Sequence, residues 1–152
     1  MSARGERRRL VLRGVAGPIA LGRDFTRRTL HDWRRAADVD ADSDTGEDAS
    51  AQQVADNVVL IVSELLSNAT LHAGGPRELI LEADAETLRV EVVDGDPTVP
   101  APGSPRYFSS PGGFGLNIVE RLSSRWGVDS RDDGKAVWAE IGFPQAGNAA
   151  AG

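Results

Sequence analysis

The 152-residue chain contains no cysteine, which removes disulfides and thiolate metal sites from consideration. Lysine is almost as scarce: sixteen of the seventeen basic residues are arginine, and the exception, Lys135, reads as a turn residue. Aromatic residues are few, and the three tryptophans, Trp33, Trp126 and Trp138, fall in periodic segments where they read as core or core-edge residues. No apolar run approaches the roughly eighteen residues of a membrane span. The basic start, MSARGERRRLVLRG, lacks the apolar centre of a signal peptide. These absences predict a cytoplasmic protein without a membrane partner. Internal repeats are also absent, and the length suits one domain with loose ends.

What is present is unevenly placed. The net charge is −6, yet Arg4, Arg7, Arg8, Arg9 and Arg13 crowd the front, while Asp38, Asp40, Asp42, Asp44, Glu47 and Asp48 fill one linker. An acidic domain with one short basic arm is a poor nucleic-acid reader, so no direct nucleic-acid partner is expected.

The pattern along the chain predicts a basic arm over 1–8, a folded domain over 9–143 and a frayed tail over 144–152. RLVLRG reads as a short edge strand. Ile19, Phe25, Leu30 and Trp33 recur at helical spacing through about Ala36. Residues 37–50 are expected to form an acidic loop, with Ser50 capping a helix from Ala51 to His72 that Gly74, Gly75 and Pro76 end. RELILEADAETLRVEVVDGD alternates as a hairpin turning at Asp84 to Glu86. DGDPTVPAPGSPRYFSSPGG is too long and too rich in Pro, Gly and Ser for a plain connector, which makes 95–112 a candidate lid. FGLNIVERLSSRWG reads as an amphipathic helix closed by Gly127, and the rest as two strands turning at Asp132 to Gly134. Helices and strands are grouped rather than alternated. The expected fold is therefore α+β, a two-layer sandwich with helices on one face of a mixed, largely antiparallel sheet.

Three separated stretches carry candidate chemistry. SELLSNATLHAG places Glu64 and Asn68 one turn apart on a helix whose neighbouring stripe is Val58, Ile61, Val62, Leu65 and Ala69. The two are either a solvent-facing pair or the base and metal ligand of a nucleotide site. Asn68 offers a neutral oxygen suited to Mg²⁺, and Glu64 a carboxylate able to orient or deprotonate a hydroxyl. At the end of VEVVDGD, Asp94 would be a costly buried carboxylate unless it meets a donor such as an exocyclic amine. In GGFGLN, glycines at 112, 113 and 115 can bring backbone amides to an anion at the start of a helix.

In this order, ELLSNATLHAG, VEVVDGD, GGFGLNIVERLSSRWGV and GKAVWAEI resemble the ATP site of the histidine-kinase-like (GHKL) ATPase superfamily. The likeness is greatest to its anti-sigma-factor serine/threonine kinase branch in actinobacteria, and spans roughly Arg9 to Phe143. The resemblance implies ATP and Mg²⁺ as cofactors and Glu64 as the catalytic residue, either the base or the group that orients a water. It further implies Asn68 as the metal ligand, Asp94 as the adenine contact, and Gly113, Gly115 and Leu116 as nucleotide-binding residues at the lid hinge. Two positions depart from the family pattern: Asp96 stands where a glycine is common, and Ala136 where a polar residue beside the adenine aspartate is common. Both are expected to lower nucleotide affinity.

The function implied is that of an anti-sigma factor that phosphorylates its antagonist protein on serine or threonine. The alternative is a nucleotide-binding or protein-binding switch without kinase turnover. The expected partners are a sigma factor, an anti-sigma-factor antagonist, or both, with the chain acting as a homodimer. No helix pair bearing a phosphoacceptor histidine precedes the domain, so a stand-alone module is expected rather than a sensor kinase.

Overall fold

The computed structural model describes residues 5–38, 45–98 and 114–142. In chain order these form β1 (Glu6–Val11), α1 (Pro18–Asp38), α2 (Thr45–His72), β2 (Pro76–Ala83), β3 (Thr87–Asp94), α3 (Phe114–Leu122), β4 (Arg125–Arg131) and β5 (Gly134–Gly142). The strands make one five-stranded sheet in the order β1-β2-β3-β5-β4. Every pairing among the described residues is antiparallel, with no parallel pair of the kind a mixed sheet would have. The α+β, two-layer arrangement is as expected, with helices packed on the sheet.

The core follows from two periodicities. Leu88, Val90 and Val92 alternate on β3, Leu79 and Leu81 on β2, and Val137, Ala139 and Ile141 on β5; all are buried and face the helices. Against them α2 sets Val58, Ile61, Val62, Leu65, Leu66 and Ala69, all buried. By length and composition alone, Ala49–His72 would suffice to cross a membrane, with a mean hydropathy of 1.3. The helix reaches that hydropathy as an average although no uninterrupted apolar run of that length is present, because its polar residues, Ser63, Glu64, Ser67 and Asn68 among them, are too few to lower the mean. In the fold this helix spends its apolar face on the sheet.

α1 crosses α2 where Gly22 leaves no room for a side chain: an added Cβ would overlap Leu66. α2 ends as expected. Gly74 and Gly75 adopt positive φ, 75° and 110°, and the Gly75 N–H donates to the Ala69 carbonyl at 2.9 Å. The β2–β3 turn is held by Asp84, whose carboxylate accepts the N–H groups of Glu86 and Thr87, each at 2.8 Å.

Three boundaries and one core assignment differ from the sequence reading. β1 begins at Glu6, so Arg7 and Arg8 belong to the sheet rather than to an arm. Cross-strand acids accommodate them: Arg7 lies 3.5 Å from Glu82 and Arg9 3.8 Å from Glu78, while Arg8 turns to Asp32 of α1 at 2.8 Å. α2 begins at Thr45, so 45–50 is helix and not acidic loop; a first turn carrying Glu47 and Asp48 is favoured by the helix dipole. Gly127 does not close a helix but lies within β4, where its missing side chain admits the Trp138 ring; a Cβ there would come within 2.7 Å of it. Trp138 itself is not a core residue. It lies on the sheet face opposite the helices, with the Arg89 guanidinium 4.3 Å and that of Arg125 5.6 Å from its ring centre.

Candidate functional site

Asn68 and Glu64 occupy the flank of α2 beside its core stripe. Asn68 is 4% exposed, and its Oδ1 is buried without a hydrogen-bond partner among the described residues. A buried acceptor left unmet costs about 1–3 kcal/mol. Glu64 is half-buried and borders a cleft of about 360 Å³ that runs along α1 and the back of α2, where Arg23, Arg27, Asp56 and Ser63 also face it. Asn68 and Asp94 do not line that cleft. The two α2 residues thus share a helix flank, but Glu64 looks toward solvent and basic α1 side chains while Asn68 looks inward.

Asp94 ends the core-facing row of β3 and is 2% exposed. Its register partner on β5 is Lys135, also 2% exposed and on the same face as Val137 and Ala139. The Lys135 ammonium donates to Asp94 Oδ1 at 3.1 Å and to the Asp96 carbonyl at 2.9 Å, and the Asp96 N–H donates to the same Oδ1 at 2.9 Å. Burial pushes the Asp94 carboxyl above the usual carboxylate range; the Asp96 amide and the Lys135 ammonium pull the other way without cancelling it. The close approach of β5 depends on Gly134, whose Cβ would overlap the Asp94 carbonyl oxygen. Arg77 braces the outer side. Its guanidinium fills the space beside Gly95 and donates to Asp133 Oδ2 at 3.0 Å.

This geometry corrects two sequence readings. Lys135 is not a turn lysine but the buried partner of Asp94. Ala136 is one residue out of phase and lies on the opposite face, paired with Val93, so it is not the neighbour of the aspartate side chain. Parity held the signal: Lys135, Val137, Ala139 and Ile141 share one face of a strand. Asp96 contributes through its main chain, and its own carboxylate accepts the Thr98 N–H at 2.9 Å.

Gly115 and Leu116 fall in the first turn of α3, where backbone amides lack intrahelical acceptors and suit an anion. α3 is held against α2, with Val119 fully buried. Gly113 and nearly all of the expected lid, from 99 to 112, lie outside the described residues, as do Arg106, the linker residues 39–44 and the tail.

The site fits a hard cation in one respect that the structure supplies: the orphaned Asn68 Oδ1 is a neutral oxygen with an unmet lone pair. Among the described residues no group of three His, Cys, Asp or Glu side chains gathers to hold a metal. A single protein oxygen suits Mg²⁺, which commonly keeps several waters and takes its remaining ligands from a nucleotide's phosphates.

A helix flank bearing Glu and Asn, a strand ending in a buried Asp, and a helix N-terminus are all carried by one helix-covered antiparallel sheet. The family model described as "Histidine kinase-like ATPase domain" matches residues 23–141, which include every one of these elements. No curated protein matches the chain. The resemblance read from the sequence motifs is thereby placed on firm ground at the level of the superfamily, and with it the expectation of ATP binding. The chain belongs to the histidine kinase-like ATPase domain family.

Proposed function

We propose that the protein is an ATP-dependent serine/threonine kinase that regulates a protein partner in the manner of anti-sigma factors, with a sigma factor, an anti-sigma-factor antagonist, or both as partners. The observation that carries this reading is the buried, partnerless Asn68 Oδ1 one turn from Glu64, on a family fold that binds ATP. Asp94 supplies the acceptor for the base, and the α3 N-terminus with Gly115 and Leu116 supplies amides for phosphate. Mg²⁺, held by Asn68 and the phosphates, would supply charge neutralisation on the transferring group. Glu64 takes the proton of the partner's serine or threonine hydroxyl as that oxygen bonds to the γ-phosphorus. The bond from the γ-phosphorus to the β–γ bridging oxygen breaks, and ADP leaves. The reading includes a homodimer in the cytoplasm, without membrane or direct nucleic-acid contact.

The test is phosphoryl transfer from labelled Mg·ATP to candidate antagonist proteins. Glu64→Ala is expected to lose at least about a hundredfold in transfer rate, the scale of a general base, while ATP affinity holds. An antagonist that binds the purified protein yet is never labelled would refute kinase activity.

A second reading, a nucleotide-dependent switch without turnover, is favoured by the Lys135–Asp94 ion pair, which already occupies the carboxylate meant for the base. It predicts that Glu64→Ala leaves partner regulation intact. Loss of regulation in that variant at unchanged ATP affinity would remove it.

A further inference from the structure

In an in-line displacement the attacking hydroxyl arrives opposite the leaving group, so a base that serves it has the nucleotide on one side and the acceptor on the other. Asn68 and Asp94, the nucleotide-side residues, are buried and do not line the cleft of about 360 Å³ that Glu64 borders. That cleft is where an acceptor can reach Glu64 from solvent. Its two walls differ in charge. α1 contributes Arg23 and Arg27, one helical turn apart and both exposed, while α2 contributes Asp56 and Glu64 with Val59, Leu60 and Ser63. The two arginines are also unmatched. Arg28 pairs with Asp24, and Arg8 with Asp32 at 2.8 Å, whereas Arg23 and Arg27 make no ion pair among the described residues, although two carboxylates share their cleft. Leu60, one turn before Glu64, is 40% exposed and gives the cleft an apolar contact.

We infer that this cleft receives the phosphoacceptor, and that Arg23 and Arg27 select a serine or threonine flanked by aspartate or glutamate. The inference rests on the kinase reading and gives that reading its acceptor class, an acidic, hydroxyl-bearing segment of a protein. The flanking carboxylate goes to the α1 wall, where planar guanidiniums suit it. The hydroxyl turns to Glu64 on the α2 wall, and the segment passes over Leu60. A basic flanking residue would meet like charge at Arg23 and Arg27, so the cleft works against it as well as in favour of the acid. A neutral flank forfeits both arginines.

The experiment uses the full-length chain and fluorescein-labelled peptides that carry one serine flanked by glutamate, by glutamine or by lysine. Fluorescence anisotropy without nucleotide reads docking, and label transfer from Mg·ATP reads the chemistry. The glutamate peptide is expected to bind about tenfold more tightly than the glutamine peptide, the combined scale of two partly exposed charge contacts, and the lysine peptide more weakly still. Raised salt is expected to narrow the difference. The double substitution Arg23→Gln, Arg27→Gln is expected to erase that preference and, in transfer, to raise KM with kcat held. Both positions are exposed, so these substitutions leave the fold intact. Arg27→Gln alone is expected to remove part of the preference, whereas Arg28→Gln, which takes the same charge from the adjacent position outside the cleft, leaves it in place. Equal affinity for the glutamate and glutamine peptides overturns the inference, as does the absence of measurable binding by any of the peptides. An unchanged preference in the double variant overturns it too, as does an Arg28→Gln effect as large as that of Arg27→Gln. In these cases transfer to antagonist proteins still decides the kinase reading. Docking of the glutamate peptide through both arginines, with no label on any peptide or antagonist, confirms the acidic docking site and removes the kinase reading.

Discussion

Replacing Asn68 with leucine is expected to make the nucleotide-free protein more stable while removing the Mg²⁺-dependent part of its ATP affinity. The two side chains have nearly the same shape, so the change deletes polar atoms without opening a cavity. Oδ1 is buried with no partner among the described residues, and relieving an unmet acceptor stabilises by about 1–3 kcal/mol. For a chain of this length each kcal/mol moves the melting temperature by roughly 3 °C, so Asn68→Leu should melt about 3–9 °C above wild type. Nucleotide works against that advantage. A ligand at a hundred times its dissociation constant adds about 2.7 kcal/mol to the folded state, so wild type with saturating Mg·ATP should rise by about 8 °C. The leucine variant keeps only what ATP supplies without the metal. Differential scanning fluorimetry, with and without ATP and with Mg²⁺ exchanged for EDTA, reads all four states. Should the variant melt below wild type in the absence of nucleotide, Oδ1 is not an unmet acceptor. A Mg²⁺ enhancement that survives the substitution would rule out Asn68 as the ligand.

Two further outcomes follow from packing and from titration. Gly134→Ala should be severely destabilising, by about 3 kcal/mol or more, because its Cβ overlaps the Asp94 carbonyl oxygen; urea denaturation measures it, and a loss under about 1 kcal/mol would show that β5 can move aside. The Asp84 carboxyl is held below its ordinary range by the Glu86 and Thr87 amides, so its contribution is present above the unfolded carboxylate pKa and is lost as pH falls through the folded one. The stability gap between wild type and Asp84→Ala should accordingly be constant near neutrality and close on acidification, and a gap that widens on acidification would contradict the turn as described.

The elements with a strong period were legible in advance. The buried stripe of α2 and both hairpins follow from spacing and turn residues, because in each a single face meets the core. Glu64, Asn68 and Asp94 were legible as a set only through motif order, since nothing in the spacing of one helix tells what lies across from it. Position Lys135 was misread because charge suggested exposure, whereas strand parity, the better guide, put it on the core face beside Val137. Trp138 failed for the mirror-image reason: size suggested burial in the core, yet its phase on β5 turns it to the outer face, where two arginines cover it. α2 starts earlier than the acidic composition of 37–50 predicts, because acidic residues suit a helix N-terminus as well as a loop.

β1 has a bearing on how copies of the chain can meet. Among the described residues it is the outermost strand of the sheet on its side, with one edge free of strand partners, and it carries Arg7, Arg8 and Arg9 in succession. A second copy adding itself antiparallel along that edge, centred on these residues, would bring arginine opposite arginine, and like charges placed so are destabilising. The acids that accommodate Arg7 and Arg9 are on β2, on the inner side, and a newcomer on the outside brings none of its own within the strand except Glu6. The arginine-rich start therefore acts as a guard against runaway sheet extension. Joining two sheets through β1 is thereby disfavoured as a way for copies of the chain to meet.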